Sequence, residues 1–190
     1  FTNDNGGFGK ADKGHIRGQK FGPKYEGHMR VPTIVWWPGT VPSGSECHEI
    51  GTTVDLLPSL AQICGASTPS GQTIDGKDIS PILLGEGKAK SPHEYLYYES
   101  DGLRQGDWKY VRFHSKGKHT EELYNLQNDI AETTSVAAQY PEKLEAMRAV
   151  LDKHASYIKS HQRSAGFSDN SKAIIETAAG LPSLYELRRK

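Results

Sequence analysis

The spacing of apolar residues changes along the chain, and each change predicts a different element. Residues 1–32 are rich in Gly, Lys and other charged residues and show little periodicity, which is typical of a loop. The run Thr33–Trp37 is short, β-branched and aromatic, and a Pro-Gly pair closes it. This pattern predicts a buried strand followed by a turn.

The segment Thr53–Gly65 is predicted to be a helix. Its apolar residues recur at the spacing of one helix face, and they are Leu56, Leu57, Leu60, Ile63 and Cys64. Asp55 is a suitable N-cap, and Gly65 is a suitable residue just beyond the helix end. From residue 66 to residue 93, frequent Gly, Pro and Ser predict a long surface segment with one helical turn at Ile79–Leu84.

Four short strands and a long helix are predicted next. The strands cover Glu94–Glu99, Leu103–Arg104, Trp108–Phe113 and Glu122–Leu126. Alternation within the third strand predicts a small antiparallel sheet with one buried and one solvated face. The helix begins at Pro141, and its apolar stripe of Leu144, Met147, Leu151 and Ile158 is expected to pack against that sheet. Residues 164–190 are predicted to be a linker and a tail.

Composition limits the classes of function. The chain has 190 residues, and its 23 Lys and Arg balance its 23 Asp and Glu. No block of like charge stands out, so neither nucleic acid nor an anionic membrane surface is an expected partner. The longest apolar stretch is too short to span a bilayer. Cys47 and Cys64 are the only cysteines, and they could form a disulfide or remain free thiols.

The stretch Asn3–Gly7 combines a carboxylate and two side-chain amides with a glycine pair. Asp-Asn-Gly after a strand is a strong turn signal, because Asn and Gly tolerate positive φ. The alternative is a metal site in which Asp4 and Asn5 supply oxygen ligands to a hard cation. Calcium takes about six to eight oxygens and magnesium about six, so the other ligands would lie upstream of Phe1 or on another segment.

The segment Gly14–Pro32 concentrates basic residues beside Glu26 and two histidines. The basic residues are Arg17, Lys20, Lys24 and Arg30. A basic loop beside a carboxylate–amide cluster suits an anionic ester, whose leaving oxygen needs charge relief. A solvated lysine-rich loop is the alternative for each residue taken singly. The sequence contains no P-loop, dinucleotide-binding, zinc or Gly-x-Ser-x-Gly motif, and no recognisable nucleophile.

An ordered series of motifs resembles the C-terminal half of the type I, formylglycine-dependent sulfatases of the alkaline-phosphatase superfamily. It begins with "FTNDNG", "IRGQK", "YEGHMRVP" and "WWPGTVPSG" and continues through "TVDLLPSLAQICGA", "IDGKDISPILLG", "GDWKYVR" and "ELYNLQNDIAETTSVA". The likeness covers about residues 1–160. It implies an α/β fold, with the C-terminal part of an alkaline-phosphatase-like α/β sandwich in residues 1–92. A small four-stranded antiparallel sheet packed against a long helix would follow in residues 93–163.

The resemblance implies roles for three residues. Asp4 and Asn5 match the aspartate and asparagine that ligate a divalent cation, Ca²⁺ rather than Mg²⁺, although Asn3 stands where the family has serine. Lys20 matches the catalytic lysine that contacts the sulfate and the leaving oxygen. Chemically these roles fit, because a lysine ammonium is a compact donor to a developing oxyanion.

Two departures from the family pattern bear on substrate binding. The spacing from Lys20 to Glu26 is one residue longer than the common form, which makes Lys24 a weaker alternative for the sulfate-binding lysine. The usual Glu-Gly-Gly is Glu26-Gly27-His28 here, and His28 is expected to bind substrate or to fill space at the substrate mouth. His15 is a weaker candidate for the same role.

The family nucleophile is a formylglycine made from a Cys/Ser-x-Pro-x-Arg motif, which neither Cys47 nor Cys64 fits. The resemblance therefore places the nucleophile upstream, in the missing N-terminal half of the same protein. The parent protein would hydrolyse sulfate monoesters of carbohydrates or aryl compounds, and this chain alone is expected to be inactive. A phosphodiesterase or phosphonate hydrolase of the same superfamily and a silent sulfated-glycan-binding relative are the alternatives. Export or lysosomal delivery is expected from the family.

Overall fold

The four strands expected after residue 93 form one antiparallel sheet in the computed structural model, which describes residues 1–9, 12–71, 73–115 and 118–161. They are β1 (Leu96–Tyr98), β2 (Gly102–Gln105), β3 (Trp108–Ser115) and β4 (Lys118–Asn125), and neighbours in sequence are neighbours in the sheet. Because Gln105 pairs with Trp108, only two residues turn the chain between β2 and β3. The predicted sheet is confirmed.

Residues 1–155 form one compact unit. The helices are α1 (Glu26–Met29), α2 (Leu56–Ile63), α3 (Ser80–Leu83) and α4 (Pro141–His161), and a 3₁₀ turn at Thr53–Asp55 precedes α2. The predicted domain boundary at residue 92 stays a prediction, and the predicted linker and tail lie outside the described residues.

One face of the sheet packs against α4. The core of this contact consists of Leu103, Tyr110, Leu123, Met147 and Leu151, each at most 1% exposed. Arg148 on α4 also forms a two-pronged ion pair with Glu121 on β4, with Nε and Nη2 at 2.7 and 2.6 Å from the two carboxylate oxygens. The predicted packing is confirmed for Met147 and Leu151, whereas Ile158 is 45% exposed.

The opposite face of the sheet is buried as well, which corrects the prediction of a solvated face. Lys109 and Val111 on β3 are fully buried, and Tyr124 on β4 is 1% exposed. Tyr25 covers this face, with its ring centroid 5.6 Å from that of Phe113 and 6.3 Å from that of Tyr124. Alternation along a strand shows only that the strand has two faces. The second face is covered by the segment that contains Tyr25 and Glu26, some 80 residues earlier in the chain.

The predicted helix at Thr53–Gly65 is present as the 3₁₀ turn followed by α2. Its end matches the prediction: Gly65 has φ of +66°, and the Ala66 N–H donates to the Ala61 carbonyl at 2.8 Å, as in a Schellman motif. Its beginning does not, because the Asp55 side chain does not cap α2. The buried carboxylate instead accepts hydrogen bonds from the backbone N–H groups of Thr52 and Lys77, at 2.7 and 2.8 Å.

Two histidines, His93 and His154, make structural contacts. Nε2 of His93 lies 2.8 Å from Oδ2 of Asp55, which joins residue 93 to the start of α2. The His154 ring on α4 stacks on Tyr97 of β1, with centroids 3.5 Å apart.

The segment Thr33–Trp37 is not the buried strand that its composition predicts. The Trp36 side chain is 84% exposed, and Ile34 exchanges two backbone hydrogen bonds with Phe1, at 2.7 and 2.8 Å. A buried strand needs neighbours on both edges, and apart from the turn that follows it, the backbone partner of this segment in the described part of the chain is Phe1. The turn after it is confirmed, since the N–H groups of Thr40 and Val41 both donate to the Trp37 carbonyl.

Cys47 and Cys64 are both exposed free thiols. The structure thus decides between the two alternatives that the sequence left open. None of the helices described in the structure is long and apolar enough to cross a membrane.

Candidate active site

Asp4 and Asn5 form a bend that is fixed from behind by the backbone of α1. The N–H of Gly6 donates to the carbonyl of His28 at 2.7 Å. Gly6 is buried, and a Cβ atom on it would lie only 2.1 Å from the carbonyl oxygen of Gly27. The two backbones can approach this closely only because residue 6 has no side chain.

Lys20 is held to the same bend on the other side. Its N–H donates to the carbonyl of Gly7 at 3.1 Å, and its ammonium lies 5.2 Å from the centroid of the Phe21 ring. Backbone hydrogen bonds therefore join the segment Asp4–Gly7 to Lys20 and to His28. Three stretches that are separate in the sequence motifs meet in one place.

His28 lies on α1 with a ring that is 9% exposed. Its Nδ1 is 2.7 Å from the carbonyl oxygen of Gly22. Because a carbonyl oxygen can only accept, Nδ1 carries the proton, and in the neutral ring Nε2 keeps a free lone pair. Only Nε2 is left for a ligand.

The other basic residues of this loop are turned towards the sheet or lie apart. Lys24, the second candidate for the sulfate-binding lysine, forms an ion pair with Glu99 at 3.0 Å. Arg17 donates from Nη1 to the carbonyl of Glu132 at 2.7 Å and stacks 4.0 Å from the Tyr25 ring centroid. His15 is exposed. These contacts leave Lys20 as the best placed of the predicted cations.

The donor set of the bend suits a hard cation but does not complete a site. The Asp4 side chain is exposed and Asn5 is partly buried, so both can reach a ligand. They offer carboxylate and amide oxygens, which Ca²⁺ prefers. Among the described residues, no group of three or more His, Cys, Asp or Glu is arranged to hold a metal ion.

A buried charge cluster joins α1 to the sheet, and the sequence analysis missed it. Nζ of Lys109 lies 2.9 Å from Oε1 of Glu26 and 3.2 Å from Oε1 of Glu132, and all three side chains are at most 1% exposed. Tyr98 and Arg104 also donate to the Glu26 carboxylate, at 2.9 and 3.1 Å. The alternation of side chains along β3 could have indicated it, because alternation places Lys109 on the same face of the strand as Val111.

The two carboxyl groups of this cluster differ in their electrostatic surroundings. Burial alone would raise the pKa of Glu26, but Lys109 and Arg104 outweigh burial and hold that pKa below its usual value. Burial raises the pKa of Glu132 in spite of Lys109. The pKa values of the two carboxyl groups that contact Lys109 are therefore displaced in opposite directions.

Residues 20–160 match the family described as N-sulphoglucosamine sulphohydrolase, C-terminal. The chain belongs to the sulfatase family. A sulfatase of Formosa agariphila is 35% identical over an alignment of 159 residues, and the match covers 74% of this chain and 29% of that protein. Human arylsulfatase A is 32% identical over an alignment of 159 residues, and the match covers 67% of this chain and 31% of that enzyme. The chain thus spans about a third of the length of these relatives.

Solved structures support the sulfatase fold. Ps i-CgsB superimposes with a TM-score of 0.70 at 24% identity, over 98% of this chain and 42% of its own. A second structure of the same protein, in complex with k-i-k-neocarrahexaose, gives a TM-score of 0.70 at 23% identity, over 100% and 42% of the two chains. The expected α/β fold and the membership of the C-terminal region are confirmed. In this sulfatase-family chain, the candidate site residues lie on the part that precedes the small sheet.

Proposed function

We propose that this chain is the C-terminal part of a sulfatase that hydrolyses sulfate monoesters. The observation that carries the proposal is the pair of backbone contacts at the bend, Gly6 to His28 and Lys20 to Gly7. They bring two hard oxygen donors, Asp4 and Asn5, to the same place as a lysine. An anionic ester needs positive charge beside its oxygens, which the lysine and a metal ion held by these donors would supply.

Each residue has a chemical role in this proposal. The Lys20 ammonium binds a sulfate oxygen and stabilises the charge that develops on the leaving oxygen. Asp4 and Asn5 would hold a Ca²⁺ ion, with Mg²⁺ the less suitable metal. When bound, the metal supplies Lewis-acid polarisation of the sulfate oxygens. His28 can reach the ester only through Nε2, because Nδ1 is committed to Gly22.

The nucleophile in this proposal comes from the N-terminal half of the same protein. A formylglycine there would attack sulfur, and neither Cys47 nor Cys64 lies in a motif that could form one. This chain alone is then expected to release no sulfate and to bind calcium weakly. Further metal ligands would come from the same upstream half.

An uncovered apolar surface supports a partner of this kind. A pocket of about 340 Å³ is lined by twelve residues, most of them apolar: Phe1, Thr2, Thr33, Ile34, Val35, Trp36, Trp37, Leu56, Leu60, Ile63, Leu83 and Leu84. Leu57 and Leu60 on α2 are 54% and 52% exposed. Contiguous apolar surface of this kind marks an interaction site. We propose that the upstream half of the catalytic domain covers it.

A sulfated carbohydrate is the substrate class that the comparisons favour. One structural neighbour is a complex with k-i-k-neocarrahexaose, an oligosaccharide. Aryl sulfates would serve as convenient reporters of the same chemistry. Export or lysosomal delivery remains part of this proposal.

A side-by-side rate comparison tests the proposed reaction. The complete protein is expected to cleave an aryl sulfate faster than the matching aryl phosphate diester, measured as kcat/KM at saturating Ca²⁺. A clear preference for the phosphate diester would replace the proposal with a phosphodiesterase. No turnover of either ester, together with retained binding of a sulfated glycan, would indicate a silent binding protein.

A second prediction separates the two ring nitrogens of His28. The amide nitrogen of Asn can take the place of Nδ1, and that of Gln can take the place of Nε2. His28→Asn therefore keeps the donor to Gly22, and its melting temperature is expected to stay within about 2 °C of the parent, equivalent to less than about 1 kcal/mol. If Nε2 contacts substrate, His28→Asn raises KM several-fold with little change in stability.

The matched variant for this test is His28→Gln, which loses the donor to Gly22. It is expected to lower the melting temperature more than His28→Asn does. An unchanged KM in His28→Asn would show that His28 only fills space beside the Gly22 carbonyl.

A further inference from the structure

The charge cluster of Glu26, Lys109 and Glu132 is fully buried, in a place that apolar side chains could also fill. Its members come from three distant segments, and their side chains are 0–1% exposed. With Arg104, the cluster has two basic and two acidic side chains. Buried ion pairs are expensive to desolvate, and apolar replacements of similar volume are often as stable or more so. Stability alone therefore does not explain why charges occupy this place.

The geometry of Glu132 suggests that the cluster fixes the position of a backbone. Its Oε2 accepts a hydrogen bond from the N–H of Glu26 at 2.6 Å, at the first residue of α1. Its carbonyl accepts from Arg17 at 2.7 Å. Glu132 itself has φ of +52°, a left-handed conformation that is unfavourable for a residue with a side chain. Such local strain persists where surrounding contacts over-determine the conformation.

Continuous hydrogen bonds lead from this cluster to the candidate active site. The Gly27 N–H, next to Glu26, donates to the Arg17 carbonyl at 2.6 Å. The His28 carbonyl, one residue further, accepts from Gly6 at 2.7 Å. Gly27 has no room for a side chain, since a Cβ atom would lie 2.5 Å from the Arg17 carbonyl oxygen. A shift of α1 would therefore displace the bend that carries Asp4 and Asn5.

We propose that Lys109 and Glu132 are positioning residues that hold α1, and through it the Asp4–Asn5 bend, in register with Lys20. Lys109 fixes the side chain of Glu26, and Glu132 fixes its backbone. The small sheet sets the geometry of the site in this way. The effect on turnover rests on the proposed sulfatase function, whereas the effect on backbone order does not.

The test uses the complete protein with both charges replaced by apolar residues of similar length. Lys109→Met combined with Glu132→Met keeps the remaining Glu26–Arg104 pair balanced, so the variant is expected to fold. Amide hydrogen exchange at Gly6 and Lys20 is expected to rise at least about tenfold in the absence of substrate, because both amides report the contacts of the bend. With an aryl sulfate, kcat is expected to fall about tenfold. This loss is smaller than the ~10²-fold that a displacement of reacting groups by an ångström can cause.

The matched control removes an ion pair from the other face of the same sheet. Arg148→Met combined with Glu121→Met breaks the contact between α4 and β4 but touches no residue of the bend. Its melting temperature is expected to change, while exchange at Gly6 and Lys20 stays at the parent level. Lys109→Met combined with Glu132→Gln keeps an oxygen for the Glu26 N–H, and its rise in exchange is expected to be smaller but still above the parent level, because the contact of Lys109 with Glu26 is lost.

The outcomes separate this inference from the proposed function. Parent-level exchange at Gly6 and Lys20 in either Lys109 double variant, whichever folds, overturns the positioning role even if the parent protein cleaves sulfate esters. An equal rise in exchange in the Arg148 control also overturns it, since general destabilisation would then be the cause. Raised exchange restricted to the Lys109 variants supports the role even if the parent protein proves to have no sulfatase activity.

Discussion

Lys20→Ala in the complete protein is expected to lower the turnover of a sulfate ester about 10²-fold or more. The Lys20 backbone is tied to Gly7, beside the two proposed metal ligands, and its ammonium has no carboxylate partner among the described residues within ion-pair distance. By contrast, Lys24 is paired with Glu99. Loss of the ammonium removes a charge that a developing oxyanion needs.

The kinetic constants show which state Lys20 stabilises. A fall in kcat with an unchanged KM indicates a contact made only in the transition state, whereas a rise in KM indicates that the ground-state sulfate is also bound. Lys20→Arg keeps the charge but changes its shape, so partial recovery is expected. Lys88→Ala is the matched control, because Lys88 is an exposed lysine in the segment after α3. Sulfate release by Lys20→Ala at the parent rate would contradict the assignment.

Gly6→Ala is expected to disturb the site as strongly, although it changes no charged group. The added Cβ would lie 2.1 Å from the Gly27 carbonyl oxygen and 2.8 Å from that of His28. Both are backbone atoms and cannot rotate away, so the bend has to move off α1. Overpacking of this kind costs about 1–3 kcal/mol, which corresponds to a melting temperature lower by about 2–12 °C in a protein of this size or somewhat larger.

Activity is expected to follow the displacement of the bend. Turnover of an aryl sulfate by Gly6→Ala should fall by up to about 10²-fold, because Asp4 and Asn5 move relative to Lys20. Gly87→Ala is the matched control, since a Cβ at that position meets nothing within 4 Å. If the two alanine variants have the same melting temperature and turnover, the contact of Gly6 with α1 is not needed.

Local signals in the sequence were enough for much of the fold. The turn residues between β2 and β3, the glycine that ends α2 and the apolar stripe of α4 act on neighbours within a few positions. Their structures match the predictions for that reason. The order of the motifs also identified the sulfatase family, which residues 20–160 confirm.

The predictions that failed concern burial, which depends on distant segments. Thr33–Trp37 has the composition of a buried strand, but strand formation requires neighbours that local composition does not supply. Asp55 has the residue type of an N-cap, yet its carboxylate binds the N–H of Lys77, 22 residues away, and the ring of His93, 38 residues away. Residue type alone does not choose between these partners.

The sequence by itself determined the elements of this protein, its family and the candidate residues Asp4, Asn5, Lys20 and His28. Only the tertiary structure decided that backbone hydrogen bonds join the segments carrying these residues and that the second face of the sheet is covered. The bonds responsible span 83 residues between Glu26 and Lys109 and 106 residues between Glu26 and Glu132. Helix and strand patterns reflect interactions over a few residues, whereas a buried charge is stable only beside partners that the complete fold brings to it.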